Sequence, residues 1–566
     1  MKKEKLIQQF WNQADKNIHL KQYDKALSCL NECNKLLPNS ENILNAIALV
    51  SVEMKDLVKA KKYFLKSLTI NSNQFSTHLN LGKCNELLLL EDEAFQNYSD
   101  ALILNPDLID ALVNRALILQ DQQKFYDAKR DMEKAISLQL KEGENQIEEL
   151  YFGLANIMID LNENKEALSF IEKALAIKPD IRYLISKGNA LSNIGELKDN
   201  LVSFYEDVLK QYPRSSEAMS NLGFLYMHHN NFNKAEEYFV KSLRINPQNY
   251  YAMHNLGNLQ LGVGNFKEGW MNYESRNHLD RNELICILKG IPEWLPSSPK
   301  NQKLLIWGEQ GIGDQILYAS MIDKNNFDPK NTTLAVNSKI VKLLQRSFPH
   351  FNIISLEHIP KIKETFDLQI QIGSIGKYLR LNIDDFFNNT NYKLIAYKQL
   401  TDEIRKKYKK KDKLLCGISW TSSAGKDKNC ELNDLIPLFK LKNIEFINLQ
   451  YGDVSKQFAL LKEEFGINVI EVNDLNLYDD VDGLTSLIDA CDFIVTTSNI
   501  NAHIAGALQK DTYLLTAITV KKFHYWHAVN DKSIWYPTVK IFTQERKGKW
   551  ELPINKCVKT IRDLTS

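Results

Sequence analysis

Apolar positions along the chain obey one rule up to about residue 290 and another after it. In the first part they recur at helical spacing, with polar positions between them, which predicts a succession of amphipathic helices. In the second part they gather into short continuous runs, at 304–307, 332–336, 353–356 and 366–372, with helical patterns at 315–323 and 339–347. A polar, basic connection near 398–412 leads to a second series of runs at 414–420, 445–450, 469–472, 493–496 and 512–515. Helices are expected between them at 432–441, 454–464, 483–490 and 501–508. Apolar runs that alternate with helices predict parallel strands buried on both faces, here in two α/β halves.

The helical part also repeats itself. Pro38, Pro106, Pro179, Pro213 and Pro247 lie on a 34-residue ruler, with one five-residue insertion placed in 140–146. Twelve residues before each mark stands a small residue, Ala26, Ala60, Ala94, Ala128, Ala167 or Ala235, with Leu201 the exception. Eight residues before it stands a bulky one, such as Phe64, Tyr98, Tyr205 or Phe239. Small residues let paired helices cross closely, and the bulky ones are expected to fill the space between pairs. This pattern resembles the tetratricopeptide repeat, in seven registered copies and a degenerate eighth over 257–276. It predicts a right-handed stack of helix pairs with one concave face over residues 1–282. The three prolines of 290–299 end it, in a linker assigned to 283–300. The two α/β halves are then 301–400 and 401–566.

Composition changes this picture little. Hydrophobic residues make up 44% and charged residues 25%, as in ordinary soluble proteins. Lysine and arginine number 71 against 70 acidic residues, so no net field attracts nucleic acid. The basic run 405–411 reads as a solvated helix or linker rather than a membrane contact. Eight scattered cysteines show no zinc-type pairing and suggest no disulfide, and neither a signal region nor an apolar stretch of membrane-spanning length is found. A cytoplasmic protein with no integral membrane segment is expected.

Candidate chemistry lies in two turns between a strand and a helix: Gly308–Asp314 (Gly-Glu-Gln-Gly-Ile-Gly-Asp) and 497–506 (Thr-Ser-Asn-Ile-Asn-Ala-His-Ile-Ala-Gly). Such turns present the free N–H groups of a helix's first turn, which favour an anion. The first lacks the Gly-Lys-Ser/Thr of a P-loop and the order of the dinucleotide fingerprint, so Gly311 and Gly313 are read as positions where the backbone approaches a donor phosphate closely. Asp314 is read either as a helix-capping residue or as a general base. In the second turn Ser498, Asn499, Asn501 and His503 are candidate phosphate ligands. The loop after 414–420 adds Ser422, Lys426 and Lys428, a mixture of hydroxyls and cations suited to a diphosphate. Alternatively it is a flexible surface loop.

These residues resemble a known family. The stretch 307–318, the Gly417–Trp420 loop, Asn448–Tyr451, 502–508 and Trp535–Pro537 look like bacterial tetratricopeptide glycosyltransferases, whose catalytic part is similar to the heptosyltransferases of glycosyltransferase family 9. Even 264–270 and Tyr273–Arg276 resemble the last repeat of such proteins. The resemblance implies a GT-B fold of two Rossmann-like halves, with metal-independent, inverting transfer from a nucleotide-sugar and no further cofactor. Asp314 would be the base on the acceptor side, and His503 would stabilise the leaving diphosphate on the donor side. After Trp420 many relatives carry an arginine-serine pair where this chain has Asn429, Cys430 and Glu431, so Lys426 or Lys428 would have to serve.

The repeats bear on the acceptor. Asn12, Asn80, Asn114, Asn221 and Asn255 recur at one position of the first helix of a repeat, interrupted by Ala46, Gly153 and Lys187. Amides there can pair with an extended peptide backbone whatever its sequence. The layout is similar to that of O-linked N-acetylglucosamine transferase, which implies a protein acceptor held by Asn80, Asn114, Asn221 and Asn255. Two other readings remain: transfer to a lipid or polysaccharide precursor, and a repeat scaffold whose α/β domain no longer catalyses.

Overall fold

A computed structural model describes the chain except residues 1, 144–145, 195–197, 280–282, 388–391, 423–428, 519–523, 547 and 566. Two compact units divide it, Met1–Ala218 and Met219–Ser566.

Unit 1 is a tetratricopeptide solenoid. Helices α1 (Lys2–His19), α2 (Tyr23–Leu36), α3 (Glu41–Glu53), α4 (Leu57–Ile70), α5 (Phe75–Leu87) and α6 (Glu91–Leu104) form three antiparallel pairs. They continue into α7 (Ile109–Asp121), α8 (Phe125–Glu142), α9 (Ile147–Asp160), α10 (Asn164–Ile177), α11 (Ile181–Ile194) and α12 (Lys198–Gln211). Each of the six marked alanines is fully buried, as close helix crossing requires. Within most repeats the first helix ends on a residue in the left-handed region, at Lys21, Lys55, Leu89, Gln123 and Asn162. Such a residue stops the helix and turns the chain back at a modest steric cost. Those positions keep the 34-residue step except between Gln123 and Asn162, where the inserted residues fall. Their visible effect is on α8, which runs for 18 residues where α10 runs for 14.

The bulky residues do not fill the space between pairs, as expected above. A Cβ on Gly82 of α5 would lie 2.5 Å from the Tyr98 ring of α6, and one on Gly188 of α11 would overlap Tyr205 of α12. Each ring thus packs inside its own pair, over a glycine of the first helix. The sequence showed the ring but not its partner, because the glycine lies one helix away.

Unit 2 begins within α13 (Ser216–His228) and contains α14 (Phe232–Ile245), α15 (Tyr250–Gly262) and α16 (Phe266–Tyr273). The contact boundary therefore falls about two repeats before 282, and the last repeats share a core with the α/β part. That core joins Phe266, Trp270 and Tyr273 to Ile306, Ile316 and Tyr318. Nor is 283–300 a free linker: Trp294 N–H donates to Gln369 O at 2.9 Å, and the Trp294 ring packs on Phe327.

Two sheets follow. Strands β1 (Leu304–Trp307), β2 (Thr332–Val336), β3 (Asn352–Ser355) and β4 (Leu368–Gln371) form a parallel sheet in the order β3-β2-β1-β4. The second sheet holds β5 (Leu414–Ser419), β6 (Ile444–Asn448), β7 (Val469–Ile470), β8 (Phe493–Thr497) and β9 (Thr512–Thr516). To these are added β10 (Ala528–Val529), β11 (Lys532–Ser533) and β12 (Val539–Thr543), in the order β10-β11-β12-β9-β8-β5-β6-β7. It is parallel from β7 to β12, with an antiparallel β10-β11 edge. The helices that matter below are α17 (Ile312–Ala319), which follows β1, α18 (Lys398–Tyr408), α19 (Ile500–Ala507), which follows β8, and the C-terminal α20 (Glu551–Thr565). The last three strands and α20 were not foreseen.

The basic stretch 405–411 opens on the end of α18, and four of its six charges are matched. Arg405 and Lys409 pair with Asp492, Lys407 with Asp474, and Lys410 with Glu445. It serves as the joint between the connection and the second sheet, not as a free cationic patch.

Gly82→Ala is expected to destabilise the chain by about 1–3 kcal/mol, because the added methyl must displace a ring buried in its own helix pair. Thermal denaturation measures it; an unchanged midpoint would mean that the pair opens without cost.

Candidate functional site

The site is built where the first turns of α17 and α19 meet. Trp307 ends β1, and the chain then turns through Gln310, which holds a left-handed φ of 57°. The buried Gln315 fixes this turn: its Oε1 accepts from Asn337 N–H at 2.9 Å, and a Cβ on Gly308 would lie 2.6 Å from its amide. Asp314 sits at the third position of α17, half-buried, and its Oδ2 accepts from Gly311 N–H at 3.2 Å. The helix-capping reading of Asp314 is thereby realised, and it holds the carboxylate at the helix start. Gly311 is exposed at the tip.

Across from this turn stands His503, in the first turn of α19. A Cβ on Gly313 would lie 2.9 Å from the His503 ring, so only glycine lets the two helix starts come this close. The imidazole stacks on Trp526 with ring centres 4.8 Å apart, and its Nδ1 lies 3.3 Å from the Tyr536 hydroxyl. Three buried tyrosines, Tyr273, Tyr318 and Tyr536, and the half-buried Tyr525 feel the charge of Asp314. Burial first, and this carboxylate among the nearby charges, raises their hydroxyl pKa values, that of Tyr273 to about 12. All four are therefore neutral O–H groups near neutral pH. The centre is thus a carboxylate, an imidazole and phenol hydroxyls at the carboxyl ends of two parallel sheets, where α/β folds receive ligands.

The other residues singled out in the sequence have more structural roles. Asn499 caps α19, and its Nδ2 donates to Ser419 Oγ at 3.1 Å and Thr421 O at 3.2 Å. Asn501 Nδ2 donates to Ser419 Oγ at 2.9 Å and Leu449 O at 3.2 Å. Both amide NH2 groups face inward and tie the ends of the central strands together, because buried strand ends leave acceptors that need partners. Ser498 Oγ accepts from Trp526 Nε1 at 2.8 Å, and so sets the ring on which His503 stacks. Ser422 N–H donates to Asn429 Oδ1 at 2.7 Å, while Cys430 N–H donates to Trp420 O at 3.1 Å. The Asn429-Cys430 departure is thus a clasp at the base of a loop. Lys426 and Lys428 lie outside the described residues. Two cavities open beside these strand ends: about 530 Å³ next to Thr421 and Asn429, and about 360 Å³ lined by Gln450, Tyr451, Asp453 and Tyr478.

Residues that the sequence reading assigned no role hold the site in place. Arg276, just after α16, forms a buried two-pronged pair with Glu309 of the turn, Nη2 to Oε1 at 2.6 Å and Nε to Oε2 at 3.0 Å. It also donates to Glu274 at 2.7 Å and Ser374 Oγ at 2.8 Å, and Lys377 closes the cluster on Glu274 at 2.7 Å. Trp270 Nε1 donates to Arg380 O at 2.9 Å. Tyr273–Arg276 was visible as a motif, but nothing in it pointed to Glu309.

The repeats are tetratricopeptide repeats. That family matches residues 41–74, 109–142, 148–181 and 216–249. Protein FlbA of Caulobacter vibrioides is 24% identical over 584 aligned residues, covering 95% of this chain and 93% of that protein. Human Protein O-mannosyl-transferase TMTC3 is 27% identical over 211 residues, 36% of this chain and 22% of that protein, so the chain spans about a fifth of its length. A solved tetratricopeptide repeat protein from Parabacteroides merdae aligns with 44% of this chain and 98% of its own, at 15% identity and a TM-score of 0.36. Among the described residues no helix is long and apolar enough to cross a membrane.

Of the asparagines proposed to hold a peptide, Asn80 and Asn114 are half-buried on α5 and α7 of unit 1. Asn114 also meets the Tyr98 hydroxyl. Asn221 on α13 and Asn255 on α15 are half-buried in unit 2. Asn12, exposed on α1, accepts from Gln8 at 2.9 Å.

His254 of α15 gives unit 2 a measurable pH dependence. Burial, and then the charge of Arg276, lowers its imidazole from 6.5 to about 4. Because the folded pKa is depressed, this contribution to stability is complete above about pH 6.5 and is lost as pH falls towards 4, by roughly 3 kcal/mol in all. Denaturation midpoints at about pH 7 and about pH 4.5 are expected to differ less in His254→Gln than in the parent. Equal differences would show that His254 does not carry the effect.

Proposed function

We propose that this chain is a glycosyltransferase of GT-B type that moves a sugar from a nucleotide-sugar to an acceptor recruited by the repeats, most simply a protein. The observation that carries the reading is the meeting of the α17 and α19 starts, with Gly313 against His503. It brings a carboxylate from one Rossmann-like half within reach of an imidazole and a helix N-terminus from the other.

In this reading Asp314 takes the proton of the acceptor hydroxyl as that oxygen attacks the anomeric carbon from the face opposite the leaving group, and configuration inverts. The bond to the nucleoside diphosphate breaks, and the developing charge meets His503 and the positive end of the α19 dipole. Gly311 and Gly313 let the backbone approach the donor phosphates closely, and Ser422, Lys426 and Lys428 would supply a hydroxyl and cations for the diphosphate. Ser498, Asn499 and Asn501 frame that pocket. The cavity near Tyr451 and Asp453 would take the nucleoside, with a ring face for the base and a carboxylate for the ribose hydroxyls. The alignment with TMTC3, a protein O-mannosyl-transferase by name, lends support.

Calorimetric titration with UDP-, GDP-, ADP- and CMP-sugars, with and without EDTA, tests the donor. One nucleotide is expected to bind, insensitive to EDTA, and Asp314→Asn is expected to keep that binding while transfer falls by roughly 10²- to 10⁴-fold. Unchanged transfer would remove Asp314 as the base. Absence of binding across the panel would favour a scaffold whose α/β part no longer catalyses.

The acceptor side is separately testable. Joint replacement of Asn80, Asn114, Asn221 and Asn255 by alanine is expected to weaken acceptor capture at least tenfold and leave donor affinity as it was. Equal acceptor affinity would rule out recognition by these amides.

A further inference from the structure

A further cavity, of about 260 Å³, lies between the two α/β halves at the carboxyl-terminal ends of α17 and α19, the opposite ends from Asp314 and His503. Ser320 and Arg380 reach it from the first half, and Gly506, Trp535 and Thr538 from the second. Arg380 is only 5% exposed, yet among the described residues no carboxylate pairs with it. Its Nη1 donates to Leu379 O at 2.8 Å, and its Nε is buried with no partner. Ser320 Oγ and Thr538 Oγ1, which line the same cavity, are likewise buried and unpartnered.

Three unsatisfied polar groups around one space call for an explanation. A buried cation is ordinarily paired, as Arg276 is with Glu309, because desolvation without a partner is costly. Burial draws the Arg380 pKa down, and the carboxylates of Asp385 and Asp323 act against this without reversing it. The remaining walls are mostly apolar, with Phe386 and Trp535 edge to face at 4.8 Å beside Ile534 and Pro537, and Gln509 as a further polar side chain. The Tyr392 hydroxyl donates to Ile316 O at 2.8 Å and that of Tyr536 meets His503, so these hydroxyls are engaged elsewhere. Nor can the cavity be filled from within: a Cβ on Gly506 would lie 2.5 Å from the Tyr536 ring.

We propose that this cavity binds a small molecule bearing one oxyanion, a carboxylate or a phosphate monoester, on a body no larger than a monosaccharide. The guanidinium takes the oxyanion, for which its planar fork is suited. The two hydroxyls take polar substituents, and the rings take an apolar face. The volume lies below the roughly 300–1,000 Å³ of sites for larger ligands, which excludes a nucleotide. A ligand held by residues of both halves would fix their mutual placement, and so act on the cleft without entering it.

The test uses the full chain and needs no nucleotide-sugar, so its result stands apart from that of the donor titration. Inorganic phosphate, glucose 6-phosphate and glucuronate, with glucose as the neutral control, are titrated by calorimetry and by thermal shift. At least one anion is expected to bind one to one and raise the Tm, while glucose does neither; the two sugar acids tell phosphate from carboxylate. Arg380→Met is expected to lower that affinity tenfold or more. Its own Tm without ligand should be unchanged or higher, since an unpaired buried cation is gone. Anion binding undiminished in Arg380→Met, or no binding by any anion, overturns the proposal. Should Arg380→Met fail to fold, Thr538→Val is expected to weaken binding severalfold, and equal affinity there overturns it too.

Discussion

The buried pair between Arg276 and Glu309 is the interaction on which the α/β region is organised. It joins the end of the last repeat to the turn that carries Asp314, and its Coulomb attraction is strong because water is excluded on both sides. Removing Arg276 would leave Glu309 a bare charge in the core, so the two segments are held as one. Ser374, Glu274 and Lys377 extend the pair into a network in which the remaining donors and acceptors are also used. Gly373 leaves the space for it, since a Cβ there would lie 2.5 Å from Glu309 Oε1.

This explains why the last repeats belong to unit 2. Trp270 packs against Gly376, where a Cβ would lie 2.6 Å from the indole, and its N–H closes on Arg380 O. Phe266 packs against Phe386, which in turn meets Trp535. The repeats that end the solenoid sequence are thus a wall of the α/β core, and the turn before α17 is placed by them as much as by its own strand. A division of repeat from α/β region by sequence period alone would cut through this core.

At the strand ends of the second sheet the same economy of polar groups prevails. Ser419 Oγ meets the amides of both Asn499 and Asn501, and Gln450 Oε1 accepts from the N–H groups of Trp420 and Thr421. These contacts join the ends of three neighbouring strands, β8, β5 and β6, so that His503 starts its helix from a fixed base. What remains among the described residues to face a ligand is chiefly the imidazole. The polar side chains conspicuous in the sequence mostly build the frame rather than line the opening.

The periods were legible because they are local. The 34-residue ruler, the buried alanines and the parallel strands from 304 to 516 all follow from helix spacing and apolar runs, which any short window contains. Gly311, Gly313, Asp314 and His503 were legible as turn residues for the same reason. The strands after residue 526 were not, since β10 and β11 are two residues long and carry no period. Partners remote in the chain were not legible either: Tyr98 on Gly82, Glu309 on Arg276, His503 against Gly313. A sequence by itself determined where the chain turns, which face of each helix is buried and which groups could carry charge. Only the tertiary structure decided which of those groups meet, because pairing depends on desolvation and on distances between segments that no local pattern encodes.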